Sequence, residues 1–272
     1  FLSLLITITP LAAWPGPVCV DPEPPGTSHP ARASIGGTGS PADSGATGNN
    51  SEPATGGGIG GTGSPAVGGG IGGTGAPLAD GATVGIVGVV TGFASVCVNG
   101  VEVHFEHGVP VNENGDPSSA DKLAVGHVVS IDATNSPKGL MAKNIAILNA
   151  LEGPVTKLLH GGKAIQILGQ TVSIGPNTRG SPQGLAVGQL VRVSALSGAN
   201  GALIATRIQP SPQLKQSSVL GQVVVTGRQS KINGVTVTAP VNATAALIQG
   251  RWNGNELLPA SIKTDPTYRF KD

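Results

Sequence analysis

Four side chains able to hold a metal ion fall within six positions of the segment VEVHFEHG: Glu102, His104, Glu106 and His107. Imidazole and carboxylate ligands must converge from one side, with a supporting shell that orients them. Read as a strand, the segment puts Glu102, His104 and Glu106 on one face and His107 on the other. Only a bend at Gly108 would bring His107 round. The expectation is a solvated strand end, with His104, Glu106 and His107 kept as the metal candidates. His127 and His160 stand alone and read as surface or turn residues. Cys19 and Cys97 each sit in Val-Cys-Val, which reads as strand. They are compatible with one disulfide in an oxidising compartment, formed within a chain or between chains; two separate buried thiols are the alternative. IGGTG, starting at Ile35, Ile59 and Ile71, resembles phosphate-cradling glycine loops in composition only. Those loops need a strand before and a helix after, and here Gly and Pro continue on both sides. No GxSxG, CxxC, HExxH or Walker sequence occurs, and nothing places Ser, His and Asp together. The chain is expected to have no catalytic residue and no cofactor, and not to be an enzyme.

Charged residues make up 11% of the 272 residues and the net charge is +1, against about 25% charged in an ordinary soluble protein. No strong field steers such a chain to nucleic acid or acidic lipid. Aromatics are 3%, so cores must be small and built from Val, Ile, Leu and Ala. Stacking platforms for bases are sparse: Phe93 and Phe105 in one module, Trp252 in another, with the Lys and Arg residues unclustered. No nucleic-acid partner is expected. A low-charge chain rich in Gly, Thr, Ser and Pro suits an envelope or extracellular protein better than a cytosolic enzyme.

The elements that must position these residues are strands and turns. Leu123–Ala133 (LAVGHVVSIDA) and Leu185–Ala195 (LAVGQLVRVSA) are near copies, identical at six of eleven positions. They mark a duplicated module. Each copy reads as five strands, with Asn99-Gly100, Leu168-Gly169 and, in a third and degraded copy, Asn233-Gly234 as two-residue hairpin turns. Such turns need positive φ at both positions, which Asn-Gly tolerates well. In the first copy, Ser118 and Asp121 have capping-box spacing for a short helical turn before the fourth strand. Five strands with a helical element before the fourth is the plan of an OB-type barrel. Modules of about 60 residues lie near the lower limit for folding alone, so neighbouring barrels are expected to share interfaces.

Ahead of the modules lie two different textures. Leu2, Leu4, Ile6 and Ile8 alternate with Ser3, Leu5, Thr7 and Thr9, a period-two pattern that predicts a strand with one apolar face. The tail of a signal peptide is the alternative for Phe1–Trp14. Pro10 makes the run too short for a membrane span. Residues 21–82 are low complexity, with twelve glycines in the twenty positions from Gly56 to Gly75. The reading is an all-β chain: an apolar arm (1–20), a Gly/Pro-rich leader (21–82), and tandem five-stranded OB-like β-barrels at 83–149, 150–213 and, degenerate, 214–272.

The elements IGGTG, VTGFASVCVNGVEV, DPSSADKLAVGHVVSIDA, LEGPVTKL and ALIATRIQP resemble the bacterial domain family of unknown function DUF5666. The resemblance implies small β-barrels in an envelope or extracellular setting, and no known activity. Cys19 follows Pro17-Val18 without a small-residue lipobox, a departure from the lipid-anchored members. The expected function is a structural subunit of an extracellular filament or surface assembly. Leu2, Leu4, Ile6 and Ile8 would add as a strand to a neighbouring copy, so the partners are copies of the same chain. Burial of those four side chains and ordering of about nine residues are of similar size and opposite sign. The arm alone would therefore grip weakly, and a Cys19–Cys97 bond between chains would lock it. The alternative is a monomeric exported module that binds a glycan or small ligand, with the leader as a flexible tether.

Overall fold

The computed structural model describes Cys19 and residues 79–93, 95–198, 201–226 and 229–267. The arm residues Leu2, Leu4, Ile6 and Ile8 and the IGGTG leader lie outside the described residues. Among the described residues everything regular is strand, apart from short 3₁₀ turns.

The first barrel begins with β1 (Thr83–Phe93), whose Val84, Ile86 and Val90 point into the core while alternate residues stay partly exposed. It pairs with β2 (Val96–Val98), which continues through Asn99-Gly100 into β3 (Val101–His104). Asn99 has φ 48° and Gly100 φ 81°, the mirror-image turn that matches strand twist. Asn99 Oδ1 also accepts a hydrogen bond from Val89 N–H at 3.0 Å. A small hairpin follows, β4 (Val111–Glu113) and β5 (Asp116–Ser118), turning at Asn114-Gly115. Then come β6 (Val128–Ser136) and β7 (Gly139–Leu148). The strand order β3-β2-β1-β6-β7 closes through a parallel β3–β7 pairing, Val103 opposite Leu140. This is the OB connectivity. One local expectation is corrected. Ser118 ends β5 rather than capping a helix. The 3₁₀ turn is Ala120–Lys122, with Ser119 before it making no capping bond to backbone. Ser119 Oγ is engaged by the Asp121 carboxylate instead.

The second barrel repeats the plan with β8 (Leu151–Leu159), β9 (Ala164–Ile167), β10 (Gln170–Gly180), β11 (Leu190–Ser197) and β12 (Leu203–Pro210). It closes through antiparallel β8–β11 and parallel β10–β12 pairings. Its first hairpin turns at Leu168-Gly169, with φ 49° and 78°. A leucine is kept in this left-handed position because its side chain is buried in the core. The third barrel comprises β13 (Ser217–Thr226), β14 (Gln229–Ile232), β15 (Val235–Val237), β16 (Ala245–Trp252) and β17 (Leu257–Thr264), and closes through β13–β16. Its turn is Asn233-Gly234. β13 also pairs with β8, so the second and third barrels share one ten-stranded sheet and one continuous core. Val128, Ala146 and Leu148 of the first barrel meet Leu220 and Leu247 of the third in a separate apolar cluster. No described helix is long and apolar enough to cross a membrane.

Candidate functional site

The largest concentration of polar chemistry lies where the three barrels meet. The β4–β5 turn delivers Glu113 and Asn114 there, β8 delivers Glu152, β11 delivers Arg192 and Ser194, and β13 delivers Ser218. Arg192 Nη1 donates to Glu113 Oε2 at 2.8 Å, and its Nε stands 3.1 Å from Glu152 Oε1. That second contact is an ion pair without hydrogen-bond alignment. Asn149 Nδ2 donates to both carboxylates, to Glu113 Oε1 at 2.9 Å and Glu152 Oε1 at 3.0 Å. Ser218 Oγ donates to Glu152 Oε2 at 2.6 Å.

Asn114 is the hub. Its side chain donates to Asn149 O and Ser218 Oγ and accepts from Asn149 N–H, and its own carbonyl accepts from Gln249 Nε2. Burial holds the Glu152 carboxyl above the ordinary value; Ser218, Arg192 and Asn149 pull it back, and Glu113 adds to the rise. A buried ion pair satisfied on nearly every side contributes orientation more than net stability. Here it fixes three barrels at defined angles. Sequence reasoning misses these residues, although the chain carries two signals of them. Asn114-Gly115 is the same hairpin dipeptide as Asn99-Gly100. Glu152 also stands where the other modules carry Val87 and Leu220.

His127 is corrected from a surface residue to a buried one, 3% exposed at the contact between the first and second barrels. Its Nδ1 accepts from Ala124 N–H at 3.2 Å. Burial and the neighbouring Arg207 guanidinium, with a smaller push from Arg192, lower its pKa to about 4, against a hydrogen bond with Gln209 that raises it. The ring is therefore neutral in the fold at pH 7. A base held below its unfolded value contributes stability that is complete above pH 6.5 and is lost as pH falls toward 4. The expected loss over that window is about 3 kcal/mol. The duplicated module supplies the control: Gln189 occupies the matching position and accepts the matching bond, Ala186 N–H to Oε1 at 3.0 Å. His127→Gln is expected to keep the contact and flatten this part of the stability–pH curve, measured by urea denaturation between pH 4 and pH 7. An unchanged curve would show that His127 does not carry it.

The disulfide joins Cys19 to Cys97 within the chain, with Cα atoms 5.6 Å apart. Val96 and Val98 enter the core, so Cys97 points outward from β2. Next to it, Glu102 lies opposite Cys97, accepts from Ser95 Oγ at 2.6 Å, and stands 4.0 Å from His104 Nε2. β3 ends at His104, and Glu106 and His107 line a separate cleft of about 590 Å³ with Phe105 and Asp121. No group of three metal-ligating side chains forms among the described residues. A second cleft, of about 420 Å³, lies between the second and third barrels and is lined by Pro154, Leu190, Lys215, Arg251 and Trp252. His160 lies in the exposed 3₁₀ turn after β8.

Three closed five-stranded barrels of OB connectivity, clamped by a polar junction, define the class of protein. Residues 152–209, the second barrel almost entire, match the family described as Domain of unknown function (DUF5666), the family that the sequence motifs resemble. No curated protein matches the chain. Among solved structures, drosophila Unr CSD456 is similar at 12% identity, covering 68% of this chain and 98% of that one, with a TM-score of 0.23.

Proposed function

We propose that the protein is a structural subunit of an extracellular bacterial filament or surface assembly, in which the N-terminal strand of one copy adds to the next. The observation that carries this reading is the polar junction of Glu113, Asn114, Asn149, Glu152, Arg192 and Ser218. Domains joined by small polar contacts normally move against one another. A clamp buried among all three barrels makes one block, and a block of fixed angles is what a repeating contact needs in order to propagate. The Cys19–Cys97 bond supports the same reading, because it fixes the point from which residues 1–18 depart. Electron microscopy of the purified full chain, disulfide intact, is expected to show filaments or sheets. Removing residues 1–9 is expected to leave the melting temperature unchanged and abolish assembly. Dispersed particles of monomer size from the intact chain would overturn the reading.

A second reading, an exported monomeric binding module for a glycan or small ligand, is favoured by the cleft at Trp252. The indole Nε1 there is buried without a partner, and Lys215, Gln216 and Arg251 supply polar groups around it. A Trp14→Phe variant leaves Trp252 as the sole tryptophan. A saturable change in its fluorescence with oligosaccharides, in dispersed protein, would favour this reading over assembly.

A further inference from the structure

We propose that the C-terminal half of β17 is the acceptor edge for the N-terminal arm, Phe1–Thr9, of a second copy, which enters parallel to β17 and covers Ile262. The inference deepens the assembly reading and rests on it.

The three barrels can be superposed by their strand registers. Ile131, Val193 and Ile248 are equivalent core positions, each paired across to an isoleucine on the last strand of its barrel: Ile145, Ile208 and Ile262. Residues directly opposite in an antiparallel pair share a face, so all three isoleucines belong to the barrel interior. Ile145 and Ile208 are 0% exposed, whereas Ile262 is 46% exposed.

The cause is a missing strand. In the first barrel β4 lies parallel to β7 and sets Val111 beside Ile145. In the second, the far half of β10 lies parallel to β12 and sets Gly180 beside Ile208. In the third, β15 pairs with β17 only at Val237 and Leu257, and no described strand lies beside Ile262. The chain there is too short to supply one. Between His104 and Val128 the first barrel has 23 residues (105–127); between Val237 and Ala245 the third has seven (238–244). Those seven are committed elsewhere: Val241 is buried in the core and its N–H donates to Ser230 Oγ at 2.9 Å. A parallel-edge slot that two barrels fill from their own chain is thus left open in the third.

The arm fits this slot by pattern. Leu2, Leu4, Ile6 and Ile8 give one apolar face at strand period, and one of them would take the place Val111 holds beside Ile145. The other segments are unsuited. Residues 21–78 are dominated by Gly, Pro and Ser, with no comparable alternation. Residues 268–272 follow β17 directly, and a parallel neighbour needs a crossover of about a dozen residues or more.

Where Cys19 is fastened favours the second copy over the same chain. It is bonded to the outer side of β2. The first barrel meets the third through β6 and β7, by Val128, Ala146 and Leu148, and through Asn114. In the ring β1-β2-β3-β7-β6, β2 lies across from those two strands. The arm therefore departs from the side of the first barrel turned away from its own acceptor. Donor and acceptor on different faces make a heterologous contact that continues from copy to copy.

The test uses the full chain with its disulfide intact. A benzophenone amino acid is placed at Thr264, exposed and on the same face of β17 as Ile262, and this protein is mixed with ¹⁵N-labelled wild-type copies before illumination. Mass spectrometry is expected to find the probe joined to a peptide from Phe1–Thr9 carrying the ¹⁵N label. A join to the arm of the same chain alone would overturn the proposal. So would filaments in which the probe never reaches the arm, and that result would leave the assembly reading standing. A chain that forms no filaments in any form sinks both. An independent variant, Ile262→Ala, shortens a half-exposed side chain and is expected to lower the melting temperature only slightly. It should raise the critical concentration for assembly about tenfold or more; an unchanged critical concentration would overturn the proposal.

Discussion

Replacing Arg192 by methionine is expected to lower stability by about 3–5 kcal/mol at pH 7, because it strips the counter-charge from two carboxylates at once. Glu152 is buried and Glu113 nearly so. Met keeps the aliphatic stem that packs in the junction, so the loss reads the charge rather than a cavity. The variant also carries a pH signature. Burial already holds the Glu152 carboxyl above its ordinary value, and Arg192 is one of the groups that pulls it down. Without Arg192 it rises further. A group whose folded value is raised has its contribution complete below the unfolded value and loses it as pH rises through the folded one. The deficit of Arg192→Met relative to wild type should therefore shrink as pH is lowered from 7 toward 4.5. Adding Glu152→Gln should recover part of the loss, since the amide keeps the volume and removes the uncompensated charge. Urea denaturation of the four proteins of this cycle measures it. A deficit under about 1 kcal/mol, or one insensitive to pH, would show that the junction is not a buried charge clamp.

Gly180→Ala is expected to destabilise the second barrel by about 2–4 kcal/mol, while Gly175→Ala in the same strand stays within about 1 kcal/mol of wild type. At Gly180 the backbone has φ 85°, and an added Cβ would lie 2.2 Å from the carbonyl oxygen of Ile208. Neither atom is the end of a flexible side chain. The strand would have to move away from β12, at the place where it covers Ile208. At Gly175 a Cβ meets nothing within 4 Å, so the change acts mainly through the unfolded chain. The pair shares residue chemistry, strand and solvent, and differs only in space and dihedral. Equal melting temperatures for the two variants would mean that the parallel closure of this barrel is soft. The result would also bear on the third barrel, where the equivalent parallel pairing is reduced to Val237 and Leu257.

The strand pattern and its turns are legible in the amino-acid sequence. Ile86, Leu151 and Val219 announce themselves by alternation. Asn99-Gly100 and Asn233-Gly234 announce hairpins because few other dipeptides accept positive φ twice in succession. The near-copy at Leu123–Ala133 and Leu185–Ala195 makes a repeated barrel the simplest architecture. Such features are local: they depend on residues close in sequence and on period two. What only the tertiary structure decides is long-range. Glu113, Glu152, Arg192 and Ser218 lie far apart in the chain, and no periodicity says that four strands will bring them within hydrogen-bonding distance. His127 and Gln189 occupy one slot of a repeat, yet the first is buried because another barrel leans on it. Ile145, Ile208 and Ile262 look alike in sequence, and the exposure of the third depends on whether a strand arrives beside it. Backbone propensity is written residue by residue, whereas burial and charge pairing depend on which distant surfaces meet.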